Sequence, residues 1–143
     1  MQIVNAASNS SQEALRRQAK GTARFPKAVK LLKHSDFQHV YKNGKRHFSG
    51  LLTAFYLPRA LPEPPGPRIG LTVGRALGGA VERNRIKRRM REAVRFHLLE
   101  LSASVDVVFN PKKAVLEAEF SAIEQEVKKA FEVIQKNLER SRA

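Results

Sequence analysis

The stretch from residue 80 to residue 101 constrains the fold of this chain more than any other part of the sequence. Its apolar residues cluster on one side at 100° per residue, which predicts an amphipathic helix. They are Ile86, Met90, Ala93, Val94, Leu98 and Leu101. Seven of the fifteen residues from 81 to 95 are Lys or Arg. One face of this helix therefore packs on a core, and the other presents a strongly cationic surface.

Two further helices are predicted around it. Phe37, Val40 and Tyr41 recur at helical spacing before Gly44, which indicates a short helix over 35–43. The last helix is predicted over 119–138 from a longer apolar stripe at i, i+3, i+4 and i+7 spacing. That stripe consists of Phe120, Ile123, Val127, Phe131, Ile134 and Leu138.

Three segments are typical of strands: 47–57, 68–73 and 105–109. Five prolines between 58 and 67 make that stretch a connecting loop, and 74–79 is a glycine-rich turn. The order helix, strand, strand, helix, strand, helix favours an α+β fold, a two-layer α/β sandwich with a small sheet packed by helices.

The first strand carries apolar residues on both faces, which suggests that both faces are covered or that one lines a cleft. Leu52, Ala54 and Tyr56 share one face, whereas Leu51, Thr53 and Phe55 share the other.

Three regions are predicted along the chain. A flexible basic N-terminal arm covers 1–23, a folded domain covers 24–138, and a C-terminal tail covers 139–143.

The charge of the chain identifies its class of partner. It has 27 Lys and Arg against 13 Asp and Glu, a net charge of +14, so nucleic acid is the expected partner and an anionic membrane surface the second choice. There is no cysteine, which excludes disulfides and thiolate metal sites. No apolar run is long enough for a membrane span, and we expect a cytoplasmic protein.

The basic helix is the expected site of nucleic-acid binding. Arg85, Arg88, Arg89 and Arg95 lie away from its apolar stripe, with Asn84 among them. Guanidinium groups suit phosphate oxygens and stack on bases. A solvated charged face is the alternative, but one sign of charge dominates here. A helix-turn-helix motif is disfavoured, because a strand and a glycine-rich turn precede the helix.

No catalytic constellation is found in the sequence. The histidines at 34, 39, 47 and 97 lack zinc-site spacing, and no acidic cluster suggests a two-metal nuclease. His97 falls on the apolar side of its helix and is expected in the core, and the other three are expected on the surface. The turn 74–79 lacks the ending of a phosphate-binding P-loop. We assign no catalytic residue and no metal site.

The most specific block of the sequence is a strand, a glycine-rich turn and a helix with the string Arg-Asn-Arg-Ile-Lys-Arg at 83–88. Supporting blocks are Leu31-Leu32-Lys33, Asp36-Phe37-Gln38, Val40-Tyr41, Gly44-Lys45-Arg46, Asp106-Val107-Val108 and Lys112-Lys113. Together covering residues 25–138, these blocks resemble the bacterial ribonuclease P protein family. The chain departs from the family pattern at Ala76, Gly79 and Lys30, where a basic residue, Asn and Arg are common.

The resemblance implies a left-handed strand–helix–strand crossover around the basic helix. It also implies a ribonucleoprotein that removes the 5′ leader of precursor tRNA, with the RNA subunit as catalyst. Mg²⁺ would be held mainly by that RNA, and this chain would bind no cofactor firmly. The implied partners are the RNA subunit and precursor tRNA, with no DNA and no membrane.

The resemblance further implies two sets of binding residues. The RNA subunit would be bound by Arg75, Arg83, Asn84, Arg85, Lys87, Arg88, Arg89 and Arg91. The leader would be bound by Lys30, Phe37, Tyr41 and Phe55. For Phe37 and Tyr41 the alternative is an ordinary core stripe on an amphipathic helix.

Three other functions remain open from the residues alone. A structural RNA-binding protein, such as a ribosomal protein, has the same composition and would co-purify with a different RNA. A free-standing nuclease would cleave RNA without an RNA subunit. A DNA-binding regulator would prefer a duplex DNA site.

Overall fold

The structure is a computed structural model that describes residues 29–31, 33–60 and 65–142. The predicted arm over 1–23 lies outside the described residues. The helices are α1 (His34–Asn43), α2 (Ala80–His97) and α3 (Phe120–Arg142), and the strands are β1 (Lys45–Phe48), β2 (Leu52–Pro58), β3 (Arg68–Leu71) and β4 (Val105–Pro111). Short 3-10 turns occupy Arg75–Leu77, Leu98–Glu100 and Lys113–Leu116. The predicted α+β class is confirmed, and α3 continues four residues beyond its predicted end.

The four strands form one sheet in the order β1-β2-β4-β3. β2 pairs antiparallel with both β1 and β4, whereas β3 pairs parallel with β4. A parallel pair needs a crossover connection, and α2 supplies it between β3 and β4. The strand–helix–strand unit is therefore present, and its left-handed sense remains a prediction from the resemblance.

The single strand predicted over 47–57 is wrong, because the structure has a hairpin of β1 and β2 there. The turn between them is stabilised from α3. Glu126 Oε1 accepts hydrogen bonds from Ser49 Oγ at 2.5 Å and from the backbone N–H of Leu51 at 2.7 Å. The residue that fixes this turn lies 75 or more positions away in sequence, beyond the reach of a local strand pattern.

One face of the sheet carries the larger core. Leu52, Ala54 and Tyr56 of β2 are buried there, as predicted, together with the apolar stripes of α2 and α3. The rings of Phe109 and Phe131 meet with centroids 5.8 Å apart. Side chains from alternate positions of β2, β3 and β4 thus pack into one core on this face.

The opposite face is covered only in part, by the ten-residue helix α1. Leu31, Val40 and Val108 are buried in this small cluster, and Phe37, Tyr41, Phe55 and Leu57 pack against it while half-buried. The prediction that β2 has apolar side chains on both faces is thereby confirmed, and one of those faces stays partly open.

A buried carboxylate links α1 to the sheet on this face. Asp106 accepts two hydrogen bonds from Arg68, at 2.8 and 2.7 Å, and one from Arg59 at 3.2 Å. The hydrogen bond to Asp106 raises the pKa of Arg68. Arg68 also lies 3.7 Å from Asp36 of α1. Because each buried charge has a partner, the network positions α1.

The histidines follow the predictions with one exception. His97 is buried and its Nδ1 lies 3.3 Å from Glu100, while His34 and His39 are exposed. His47 was expected on the surface, and that is wrong. It lies opposite Ala54 in the hairpin and therefore points toward α3. Burial and the charge of Lys129 lower its pKa, against the opposing effect of Glu126.

Candidate nucleic-acid interface

The start of α2 is set by the two glycines before it. Gly78 has φ of 134°, a conformation that side chains with a Cβ rarely adopt. The N–H of Gly79 donates to Glu82 Oε1 at 3.3 Å, and the carbonyl of Gly79 accepts from the N–H of Arg83 at 2.9 Å. Glycine at position 79, where the resemblance suggested Asn, is thus compatible with an ordered helix start.

The basic face of α2 is defined by the predicted set Arg83, Asn84, Arg85, Lys87, Arg88 and Arg91. Asn84, Arg85, Arg88 and Arg91 are exposed, and Arg83 and Lys87 are half-buried. Ile86, Met90, Ala93 and Val94 are fully buried on the other side. Among the described residues, no carboxylate forms an ion pair with Arg85, Arg88 or Arg91. The face therefore keeps its positive charge available for an external anion.

Two predicted RNA-binding residues lie outside this face. Arg89 is half-buried and donates from Nη1 to the carbonyl of Leu116 at 3.2 Å and from Nη2 to the carbonyl of Ala118. These bonds fasten the segment that follows β4 onto α2. Arg75 is exposed in the 3-10 turn before α2.

The residues predicted to bind the leader lie on and around α1, on the partly open face of the sheet. We call Phe37, Tyr41 and Phe55 the aromatic cleft. The ring of Phe37 lies over Gly70, so closely that a Cβ at position 70 would sit 2.5 Å from Phe37 Cζ. Lys30 forms an isolated parallel β-bridge with Ile69 of β3, so the backbone of Lys30 is fixed beside the sheet.

Tyr41 is held by both ends of its side chain. Its ring meets that of Phe55 edge-on, with centroids 4.9 Å apart and planes at 87°. Its hydroxyl donates to Asn110 Oδ1 at 2.9 Å and lies 2.5 Å from Thr72 Oγ1, so the Thr72 hydroxyl donates in that pair. The ring is therefore placed by specific contacts while part of its surface stays accessible.

The two predicted sets meet at one cavity of about 260 Å³ between α1, β3 and α2. Lys30 and Phe37 line it from the leader set, and Lys87 and Arg91 line it from the basic face. Tyr41 and Phe55 do not line it, because Phe55 belongs to β2, farther across the sheet, and Tyr41 packs against Phe55. The surface predicted to bind the leader therefore adjoins the surface predicted to bind the RNA subunit at this cavity.

Three residues of this region were missed in the sequence. Thr72 and Asn110 hold the Tyr41 hydroxyl, and no local pattern pointed to either. Gly70 permits the approach of Phe37, and a glycine inside a strand was a usable signal for close packing.

No group of three His, Cys, Asp or Glu residues that could hold a metal ion occurs in the described part of the chain. Within the same residues, no helix has the length and apolar character needed to cross a membrane.

Comparisons with known proteins agree on one family. The model of the ribonuclease P family matches residues 25–135. The ribonuclease P protein component of Acidothermus cellulolyticus is 37% identical over 102 residues, which cover 71% of this chain and 84% of the relative. That of Desulforapulum autotrophicum is 32% identical over 115 residues, covering 80% and 95%. The structure of the Staphylococcus aureus RNase P protein matches with a TM-score of 0.65 at 26% identity, covering 76% of this chain and 97% of that one.

Proposed function

The chain belongs to the ribonuclease P protein family, and from that premise we propose that it binds the RNA subunit through the basic face and the 5′ leader of precursor tRNA through the aromatic cleft. Family membership makes it the protein component of a tRNA-processing ribonucleoprotein. The two binding surfaces and their assignment are our proposal.

The uncompensated charge of the basic face carries the assignment to the RNA subunit. Arg85, Arg88 and Arg91 project from a helix whose other side is anchored in the core, and no carboxylate of the described residues neutralises them. Like charges at neighbouring helical positions repel one another by a few tenths of a kcal/mol per pair. Phosphates of a structured RNA relieve that repulsion and bind through charge-assisted hydrogen bonds.

The aromatic cleft suits unpaired nucleotides. Single strands bind by stacking on aromatic rings along a basic groove, and the bases of a leader are free to stack, whereas those of the tRNA body are mostly paired. Phe37, Tyr41 and Phe55 are half-buried, so part of each ring stays accessible, and Lys30, Lys87 and Arg91 supply positive charge at the adjoining cavity. This arrangement supports sequence-tolerant binding of the leader.

Leader binding gives the protein a role without chemistry on its own residues. Cleavage removes the leader, so contacts to the leader favour substrate over product. The protein would raise the affinity for precursor tRNA and let mature tRNA leave. Mg²⁺ on the RNA subunit would supply the activation of water and stabilisation of the reacting phosphate. We assign phosphodiester hydrolysis to that RNA and no catalytic residue to this chain.

Reconstitution tests this proposal. The protein, the ribonuclease P RNA of the same source and a precursor tRNA are combined, and cleavage is compared with that by protein alone and by RNA alone. We expect cleavage at the mature 5′ end with the RNA and stronger precursor binding when the protein is present. Cleavage at that site by nuclease-treated protein alone would contradict the division of labour. Equal affinity for precursor tRNA with and without the protein would contradict the leader-binding role.

A further inference from the structure

Phe48 is the one aromatic side chain in the described part of the chain that is mainly exposed, with 66% of its surface accessible. It ends β1, the edge strand of the sheet. Because its ring is mainly exposed, it contributes little to the core, and a single exposed apolar residue is common on protein surfaces. Its neighbours and its position on the sheet indicate that it takes part in binding.

The register of the sheet places Phe48 on the same face as the aromatic cleft. Arg46 lies opposite Phe55, and Phe48 lies opposite Thr53. Thr53 in turn lies opposite Asn110, which holds the hydroxyl of Tyr41. Directly opposed residues of an antiparallel pair point to the same side. At about 4.8 Å per strand, Phe48 therefore stands roughly 10 Å from Asn110 across the open face.

The backbone around Phe48 is fixed. Glu126 holds the turn that follows at Ser49 and Leu51, and Lys112 donates from Nζ to the carbonyl of Ser49 at 3.1 Å. The backbone N–H of Lys112 also donates to the carbonyl of Leu51 at 2.8 Å. An exposed ring on an ordered turn loses little freedom when it binds, which favours recognition.

Positive charge accompanies the ring. The guanidinium of Arg46 lies 5.6 Å from the centroid of Phe48, within the range of a cation–π contact, and both side chains are exposed. Lys112 is exposed beside the same turn. A π-face flanked by cations is the combination that single-stranded nucleic acid recognises without sequence preference.

We propose that Arg46, Phe48 and Lys112, the Phe48 corner, form a second stacking platform for single-stranded RNA, continuous with the aromatic cleft. This inference rests on the proposed function and extends it. The cavity at β3 adjoins the basic face, whereas β1 is the opposite edge of the sheet. Because the catalytic RNA is proposed to bind at the basic face, the Phe48 corner takes leader nucleotides farther from the cleavage site than those in the cleft.

Leader length provides the test. The holoenzyme is titrated with precursor tRNAs that carry either a leader too short to cross the sheet or one of about ten nucleotides. Phe48→Ala should weaken binding of the long-leader substrate about five- to tenfold, which corresponds to roughly 1 kcal/mol of stacking. It should leave the short-leader substrate and mature tRNA unchanged. Phe48→Tyr keeps the ring and should restore the affinity.

Leu99→Ala is the matched control, since Leu99 is 55% exposed and belongs to neither binding surface. Equal affinities of Phe48→Ala and the wild type for the long leader, while Phe55→Ala still weakens it, would overturn this inference and leave the proposed function standing. If the affinity of the wild-type holoenzyme for tRNA did not depend on the leader, the proposed function itself would be wrong. A change of oligomeric state in Phe48→Ala on sedimentation, without a change in leader affinity, would assign the corner to a second copy of the chain and overturn the inference too.

Discussion

The two faces of the sheet use neighbouring residues of the same strands but are closed in different ways. Phe109 points into the larger core, where it is fully buried against Phe131. Val108 and Phe55 point to the other face, where α1 leaves part of Phe55 accessible beside Tyr41. One face is a complete apolar core, and the other is a partly covered platform.

The faces also differ in what holds them. The α1 face contains the buried carboxylate of Asp106, and Thr72 and Asn110 each form a hydrogen bond with the Tyr41 hydroxyl. These polar groups add to the packing of α1, a short helix whose one fully buried residue is Val40. A sheet can thus draw its stability from one face and keep the other open for a ligand.

The largest test of this comparison is Phe109→Ala. Truncation of a fully buried phenylalanine costs about 3–5 kcal/mol of unfolding free energy. Phe55→Ala is the matched variant on the open face, and we expect it to cost less than half as much, because part of that ring remains in water. Denaturant unfolding measures both. Equal losses would mean that the α1 face is a core and not a platform.

Asp106→Asn tests whether ion pairs hold the open face. The substitution leaves the guanidinium groups of Arg59 and Arg68 facing a neutral amide, and breaking a buried pair costs about 3 kcal/mol or more. Glu132→Gln removes the same charge from an exposed position of α3 and should change stability by less than about 0.5 kcal/mol. Thermal or denaturant unfolding of the two variants gives the comparison, and similar small losses would discount the network.

The closed face could be predicted from the sequence much more fully than the open one. The stripes of α2 and α3 have a local 3.6-residue period, so Ile86, Met90, Phe131 and Ile134 were assigned correctly to the core. The open face depends on contacts between distant positions. Glu126 at the Ser49 turn, and Asn110 at Tyr41, join residues more than 65 positions apart, which no local pattern reports.

The same limit applies to the basic face. The one-signed charge of α2 was evident, and the structure exposes Arg85, Arg88 and Arg91 as expected. Arg89 looked equivalent on a helical wheel. Its hydrogen bonds to the carbonyls of Leu116 and Ala118 depend on the segment after β4, so the pattern of the helix alone could not predict them.

The double variant Arg85→Ala and Arg88→Ala addresses the basic face directly. Loss of two charge-assisted contacts should weaken binding of the RNA subunit by about 2 kcal/mol or more. The log–log dependence of affinity on salt should flatten by about 0.7–0.9 for each lost phosphate contact. Filter binding over a salt series measures both. Arg89→Ala is the comparison variant, and we expect it to lower stability more than it changes the salt slope. Unchanged affinity and slope in the double variant would contradict the assignment.

Phe55→Ala should also weaken the binding of precursor tRNA to the holoenzyme, by about 1–3 kcal/mol if a base stacks on the ring. Affinity for mature tRNA and for the RNA subunit should stay nearly the same. Parallel titrations with the two tRNAs give the difference. Equal weakening for both tRNAs would point to a general effect on the fold and away from the leader.

Tyr41→Phe is the smallest and most discriminating change, because it keeps the ring and removes only the hydroxyl. Asn110 and Thr72 lose their shared partner, and the net cost in stability should be about 1 kcal/mol. If stacking on the ring binds the leader, affinity for precursor tRNA should fall less than about threefold, since the π-face remains. Tyr41→Ala removes the ring and should weaken leader binding well beyond that. Titration of both variants with precursor and mature tRNA separates the two effects. Equal losses of leader affinity in Tyr41→Phe and Tyr41→Ala would show that the hydroxyl, through the placement of α1 on the sheet, governs binding more than the ring does.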